Sequence, residues 1–295
     1  MFDWVTLLQA ILGGALNGGV LALIAVGLTL VFGVMGIINF AHCEFLMVGM
    51  YVSYWLFSLL GMDPYLSVII SVPALFVMGV IIQRFLISPV LDAPVNIQVI
   101  LTIGISLLLQ NLALFLFSAD PKTINLSYSS KLLIVGDALF FPWVRIYTFT
   151  AALGLSILLY FLLMKTHIGR TLRAAAENRR AALLMGINVE RIFVLAFGIG
   201  MACAGAAGSL ILPFYPASPE AGMHFIMTAF VIVILGTLGN FVGAFIAGII
   251  IGVVQAVGAT YLPGGSMYEA VTFVVFVGFM IFRPNGLFGR RLERR

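Results

Sequence analysis

Nine apolar runs, most of them near the length of a bilayer span, leave this chain few ways to fold. They cover about 5–31, 44–60, 66–84, 97–117, 144–164, 192–212, 224–237, 241–260 and 268–283. In hydrocarbon every backbone N–H and C=O must be bonded within the protein, so only helices and closed barrels cross a membrane. Runs of about 20 residues suit helices. The composition agrees: 62% of residues are hydrophobic and 9% charged, whereas soluble domains carry about a quarter charged residues. The expected fold is all-α, a polytopic integral membrane protein with about eight to ten transmembrane or re-entrant helices, in one domain over residues 1–295. The 31 glycines suit closely packed spans. Segments 224–237 and 241–260 are short, and Gly236-Thr237-Leu238-Gly239-Asn240 interrupts them. Such Gly-broken segments read as discontinuous helices or a re-entrant hairpin.

Charge orients the bundle. Threading nine spans with the loop 165–191 in the cytosol also places Arg84 and the tail from Arg283 there, which puts twelve of the fifteen basic residues inside. Only Lys122, Lys131 and Arg145 face outward. That is the positive-inside pattern, with the N-terminus outside and the tail 284–295 cytosolic. The outer connections 61–65, 118–143, 213–223 and 261–267 hold seven prolines and the acids Asp63, Asp120, Asp137 and Glu220. Proline stiffens these connections. Asp120, Asp137 and Glu220 are candidates for docking a soluble partner. The start, Met1 to Trp4, lacks a basic n-region, so the first span is expected to be retained.

The most polar stretch is Lys165 to Arg191, with six basic residues. Asn178 suits an N-cap, Ala181 to Met185 are helix formers, Gly186 suits a C′ position, and Asn188 can cap the next helix. A short cytosolic helix held between two spans is expected. Ala181, Ala182 and Met185 would share one face. Arg173, Arg179 and Arg180 would pair with acids on a partner or with anionic lipid headgroups.

Within the apolar regions, Asn39, His42 and Glu44 cluster polarity between the first two runs. Ionisable groups at membrane depth are costly and mark function. The cluster is either the inner turn between two spans, with Glu44 favoured by a helix N-terminus, or a short re-entrant segment lining a path. Asn17, Gln98, Gln110, Asn111 and Gln255 are isolated polar residues suited to interhelical bonding or to lining. His42, His167 and His224 each fall near a predicted membrane boundary. No P-loop, HExxH or GxSxG motif occurs, so the chain has no sequence signal for binding ATP or for hydrolysis. Cys43 and Cys203 form neither a CxxC pair nor a metal spacing. The basic residues sit at span ends, which does not suit nucleic acid. No run carries several charges, as a proton relay would.

Three stretches then carry a resemblance: GLTLVFGVMGIINFAHCEFLMVGMYVS (27–53), GRTLRAAAENRRAALLMGINVERI (169–192) and FRPNGLFGRR (282–291). They resemble the permease subunits of branched-chain amino acid ABC importers, more narrowly the smaller, LivH-type, of the two paired permeases. The resemblance runs in order from about Asn17 to Arg291. It implies a bacterial inner-membrane translocation subunit, not an enzyme, that carries hydrophobic amino acids inward. It implies a second homologous permease, two cytosolic ATPases that hold ATP and Mg, and a periplasmic or extracellular binding protein. Arg173, Glu177, Asn178, Arg179, Arg180, Ala181, Ala182, Met185 and Gly186 would form the coupling helix; Asn17, Asn39, His42, Glu44 and Gln98 would line the path. Two positions depart from the pattern: Arg180 replaces a usual Glu, and Cys43 a usual Gly. Near relatives move urea or short amides, which is the alternative substrate class. An ion-coupled secondary transporter is the rival of another class.

Overall fold

The computed structural model describes residues 4–136, 138–262, 268–283 and 286–289. Eleven helices run along these residues: α1 Trp4–Met35, α2 His42–Leu60, α3 Pro64–Ile82, α4 Val95–Phe117, α5 Trp143–Lys165, α6 His167–Glu177, α7 Arg179–Leu184, α8 Val189–Ile211, α9 Ala221–Leu235, α10 Phe241–Tyr261 and α11 Tyr268–Phe282. A π-helical turn, Gln83–Ile87, and a 3-10 turn, Ser88–Val90, extend α3. One antiparallel hairpin, β1 Leu132–Val135 with β2 Leu139–Pro142, decorates the connection between α4 and α5. The fold is all-α, and each of the nine apolar runs is one helix. Seven helices are long and apolar enough to span a membrane; α9 and α11 are shorter.

Small residues set the packing. Gly14 and Gly18 of α1 face Gly248 and Gly252 of α10, two G-x-x-x-G pairs in one seam. A β-carbon on Gly18 would lie 2.8 Å from the Ile249 backbone, so the two helices approach at backbone distance. On the other side, α1 packs on α8 through Gly27 and Gly200, and α2 packs on α8 through Gly49 and Gly205. Helices α1 and α8 thus form the centre; in α1 every residue from Gly18 to Val31 is buried.

The two ends of the bundle differ. At the basic end, Arg179 and Asp92 pair at 2.7 Å, which brings the α7 region against the α3–α4 connection. At the proline-rich end, Lys122 and Ala217 exchange backbone hydrogen bonds of 2.8 and 2.9 Å, which ties the loop after α4 to the loop after α8. Tyr128 donates to Asp63 at 2.6 Å and fixes the α4–α5 connection on the α2–α3 turn. Burial and the Asp63 carboxylate both raise the Tyr128 phenol, which keeps it a donor. Tyr65, Tyr128, Tyr147 and Trp143 stack edge and face around that contact, the pattern of an interfacial aromatic belt.

Two helices begin inside the bundle rather than at its ends. His42 Nε2 reaches the Ile24 carbonyl at 3.1 Å. Ile24 lies eleven residues before the end of α1, about 16 Å along the axis. Residues 36–41 must therefore climb back into the bundle, a rise that six extended residues span in about 20 Å. Gly36, at φ 70°, starts this return in the left-handed region. Helix α9 begins at the same depth, because a β-carbon on Gly222 would lie 2.6 Å from Glu44 Oε2. Two sequence expectations change here. His42 is at depth, not at a boundary. The stretch 213–223 is not wholly an outer loop, since Ala221 and Gly222 are buried helix. Hydropathy measures length along the chain and carries no information on depth.

Candidate functional site

The deepest polar cluster is built by the returning segment 36–41 and α2. Asn39 and His42 are fully buried, and Glu44 is 2% exposed. The Asn39 side chain accepts from the Ala41 N–H at 3.1 Å and shapes the turn into α2. Ser106 donates to Glu44 Oε1 at 2.9 Å. Ser106 is the middle residue of α4, so the Glu44 carboxylate sits near the mid-depth of the spans. Glu44 lies in the first turn of α2 and against the first turn of α9, where two sets of helix N-terminal amides favour an anion. Glu44 Oε2, His42 Nδ1 and Asn39 Nδ2 have no protein partner among the described residues. Buried groups left so cost about 1–3 kcal/mol each, and native folds keep few of them. The backbone of 36–41 re-enters the bundle, as one alternative expected, and Glu44 occupies the first turn of α2, as the other did.

Helix α4 faces this cluster with a polar stripe, Gln98, Thr102, Ser106 and Gln110, at four-residue spacing. Thr102 donates to the Ile38 carbonyl at 3.2 Å, satisfying part of the non-helical backbone at depth. Gln98 donates to the Leu91 and Ala93 carbonyls at 2.9 and 3.0 Å and so anchors the α3–α4 connection. Sequence reasoning treated these polar residues singly and missed Thr102 and Ser106. The regular spacing in an otherwise apolar run was the available signal. Asn17 is not brought to the cluster: it lies on α1 seven residues before Ile24, about 10 Å further along the axis.

The basic stretch forms two helices where one was expected. Asn178, Gly186 and Asn188 take the expected places: Asn178 caps α7 through the Ala181 N–H, Gly186 follows α7 at φ 79°, and Asn188 caps α8. The helix not foreseen is α6, capped by Thr166 and burying Leu172 and Ala175. Arg173 donates to the Leu163 carbonyl and reaches Met164 Sδ at 3.3 Å, which closes the end of α5. Arg179 pairs with Asp92 and lies 5.4 Å from the centre of the Phe193 ring. Two of the three arginines expected to face a partner are thus bonded within the chain. Glu177, Arg180 and Ala181 are exposed. The expected face of Ala181, Ala182 and Met185 is corrected: Ala182 is only 3% exposed, whereas Leu184 and Met185 are 89% and 82% exposed. Ala182 thus turns toward the bundle, and Leu183, Leu184 and Met185 face outward.

The last turn of α1 and the glycine-rich turn 236–240 meet beside α6. A β-carbon on Gly33 would lie 2.9 Å from Gly239 Cα. A cavity of about 360 Å³ opens there, lined by Leu172, Arg173 and Ala176 of α6 together with Gly33, Gly239 and Asn240. The stretch after α11 clamps the second turn: Leu287 N–H donates to the Leu235 carbonyl at 2.8 Å, and Phe288 N–H to Thr237 Oγ1 at 3.2 Å. At the opposite end of the bundle, Asp120 and Glu220 are exposed on the two loops joined by the Lys122–Ala217 bridge. Asp137 lies outside the described residues.

Comparison with known proteins agrees over nearly the whole chain. Residues 10–281 match the family model described as the permease component of branched-chain amino acid transport systems. The chain is 32% identical to the high-affinity branched-chain amino acid transport system permease protein LivH of Escherichia coli K12, over 96% of each chain. It is 31% identical to BraD, the corresponding permease protein of Pseudomonas aeruginosa, again over 96% of each. A probable branched-chain amino acid transport permease protein of Methanocaldococcus jannaschii is 32% identical over 96% of this chain and 93% of its own. No solved structure matches.

Proposed function

Because this chain belongs to the family of branched-chain amino acid transport permease components, we propose that it is the translocation subunit of an ATP-driven importer of branched-chain or similar hydrophobic amino acids. The carrying observation is the short helix α7, capped at both ends, which holds Leu183, Leu184 and Met185 outward on the basic side of a membrane bundle. Apolar side chains so exposed outside the spans suit a protein groove, and Met adapts to one. Two soluble ATPases would bind there, one on this chain and one on a second homologous permease. The basic end is then cytosolic, in line with the positive-inside pattern, and the proline-rich end faces a binding protein through Asp120 and Glu220.

Force on α7 would pass to α6, which it follows directly, and from α6 to the Gly33–Gly239 contact across the cavity. Gly33 lies in the last turn of α1, directly before the segment 36–41, so movement there would reach the Glu44 cluster along that segment. Asn39, His42 and Glu44 are proposed to line or gate the path. The test is uptake of radiolabelled L-leucine into proteoliposomes that hold the full complex with loaded binding protein outside. Uptake should require ATP within the vesicle and survive a protonophore. Uptake that survives ATP depletion and collapses with the protonophore would establish the ion-coupled alternative instead. Uptake of urea or acetamide in preference to leucine would keep the machine and replace the substrate.

A further inference from the structure

A second cavity, about 380 Å³, lies at the outer end of α4, and its lining includes Gln110, Asn111, Leu114, Pro121, Pro219 and Glu220. The backbone bridge between Lys122 and Ala217 pins its two loop walls together. Both walls lead down to the same point. Gln110 is one turn above Ser106, whose hydroxyl donates to Glu44. Glu220 immediately precedes Ala221 and Gly222, the α9 turn that abuts the Glu44 carboxylate. The cavity and the Glu44 carboxylate are thus neighbours through one turn of α4 and the first turn of α9.

The lining has the chemistry of a free α-amino acid. Glu220 offers a carboxylate for an ammonium group. Asn111 Nδ2 donates to the Leu107 carbonyl at 2.8 Å, which fixes the amide and leaves its oxygen and second N–H available. Gln110 supplies another amide for a carboxylate. Leu114, Pro121 and Pro219 form an apolar wall for a branched aliphatic side chain. A neutral amide such as urea would use the amide groups but neither the charge nor the apolar wall. Asn111 is exposed on a span, and a bare amide facing lipid is costly, so a solvated cavity explains its place.

We propose that this cavity is the chain's outer receiving subsite for zwitterionic aliphatic amino acids, with Glu220 holding the ammonium group before it passes to Glu44. The proposal rests on the importer reading and adds a direct contact with substrate to the place of Glu220 on the docking face. Replacing Cys43 and Cys203, the chain's two cysteines, and introducing Ala119→Cys, on the cavity lining but outside its polar contacts, gives a probe for the assembled complex in vesicles, labelled by an impermeant thiol reagent. Complex yield on a detergent column checks folding first.

Labelling should proceed from the outer side. L-leucine at ten times its apparent Kd should slow it about tenfold, the factor for an occluded site, while urea and isocaproate, which lacks the ammonium, should not. Adding Glu220→Gln should raise the leucine concentration needed by about tenfold or more, as losing a charge-assisted contact does. Absence of labelling from outside, or equal protection by urea, would overturn the subsite. So would unchanged protection in Glu220→Gln, or no slowing by leucine up to its solubility limit. Stimulation of ATP hydrolysis by loaded binding protein in the parent complex is measured separately; its absence would count against the importer reading and leave the labelling result standing on its own.

Discussion

Glu44 and Gly222 are a matched pair. The glycine leaves room for a carboxylate that no β-carbon would allow, since one would sit 2.6 Å from Glu44 Oε2. Gly222→Ala should therefore lower thermal stability in detergent, by about 1–3 kcal/mol as overpacking does. Adding Glu44→Ala should return the stability by removing the clash, without returning transport. Recovery of both would reduce Glu44 to a packing residue. The Glu44→Gln change keeps an acceptor for Ser106 and should slow transport with complex yield unchanged. Loss of assembly instead would assign Glu44 to packing. Asn178 and Gly186 sit where capping rules place them, since an Asn side chain at an N-cap and a glycine in the left-handed region are local solutions. Ala182 could not be placed by the same rules, because its burial depends on the neighbouring α8.

At the element scale, α7 makes the sharpest prediction. Leu184→Asp with Met185→Asp changes only outward side chains, so the chain should insert and melt as before while the ATPases fail to co-purify. Normal co-purification would remove the coupling role. Ala182→Glu is the wrong probe, since it buries a charge in this chain's own packing. Gly186→Val forces a β-branched residue into φ 79°, a strain of about 1–3 kcal/mol, and should uncouple ATP hydrolysis from transport. The α1–α10 seam tests the fold itself. Gly18→Val would drive two methyls into the Ile249 backbone and should separate the helices, read as a lowered melting temperature on size-exclusion chromatography. A melt equal to that of the parent would show that the seam has slack.

For the whole molecule, α4 is a polar wall shared by the cavity at Gln110 and Asn111 and by the mid-depth Glu44 carboxylate, and the proposed importer places the first outside and α6–α7 in the cytosol. Sidedness is the premise of that account. On a background lacking Cys43 and Cys203, Ser129→Cys should react with an impermeant thiol reagent only from outside, and Arg180→Cys only from the cytosolic side. The opposite labelling would invert the bundle and move the ATPase site to the wrong face. The bonds Arg179–Asp92 and Lys122–Ala217 hold the connections at each end together, so the two labels report on whole ends rather than on single loops.

Class, nine apolar helices, the caps Asn178, Gly186 and Asn188 and the asymmetry of charge were legible in the sequence, because span length, capping and the cost of crossing charge are properties of neighbours along the chain; α6 was not. Tertiary structure alone decided depth. Residues 36–41 turn back into the bundle because the Ile24 carbonyl and the Thr102 and Ser106 hydroxyls, from distant positions, meet the polar groups of that segment and of α2. Helix α9 starts at mid-depth because Gly222 lets it close on Glu44. The stripe on α4 became one surface only when α2 packed against it. Hydrogen bonding at membrane depth is a contract between helices, and no periodicity within one of them records who its partner is.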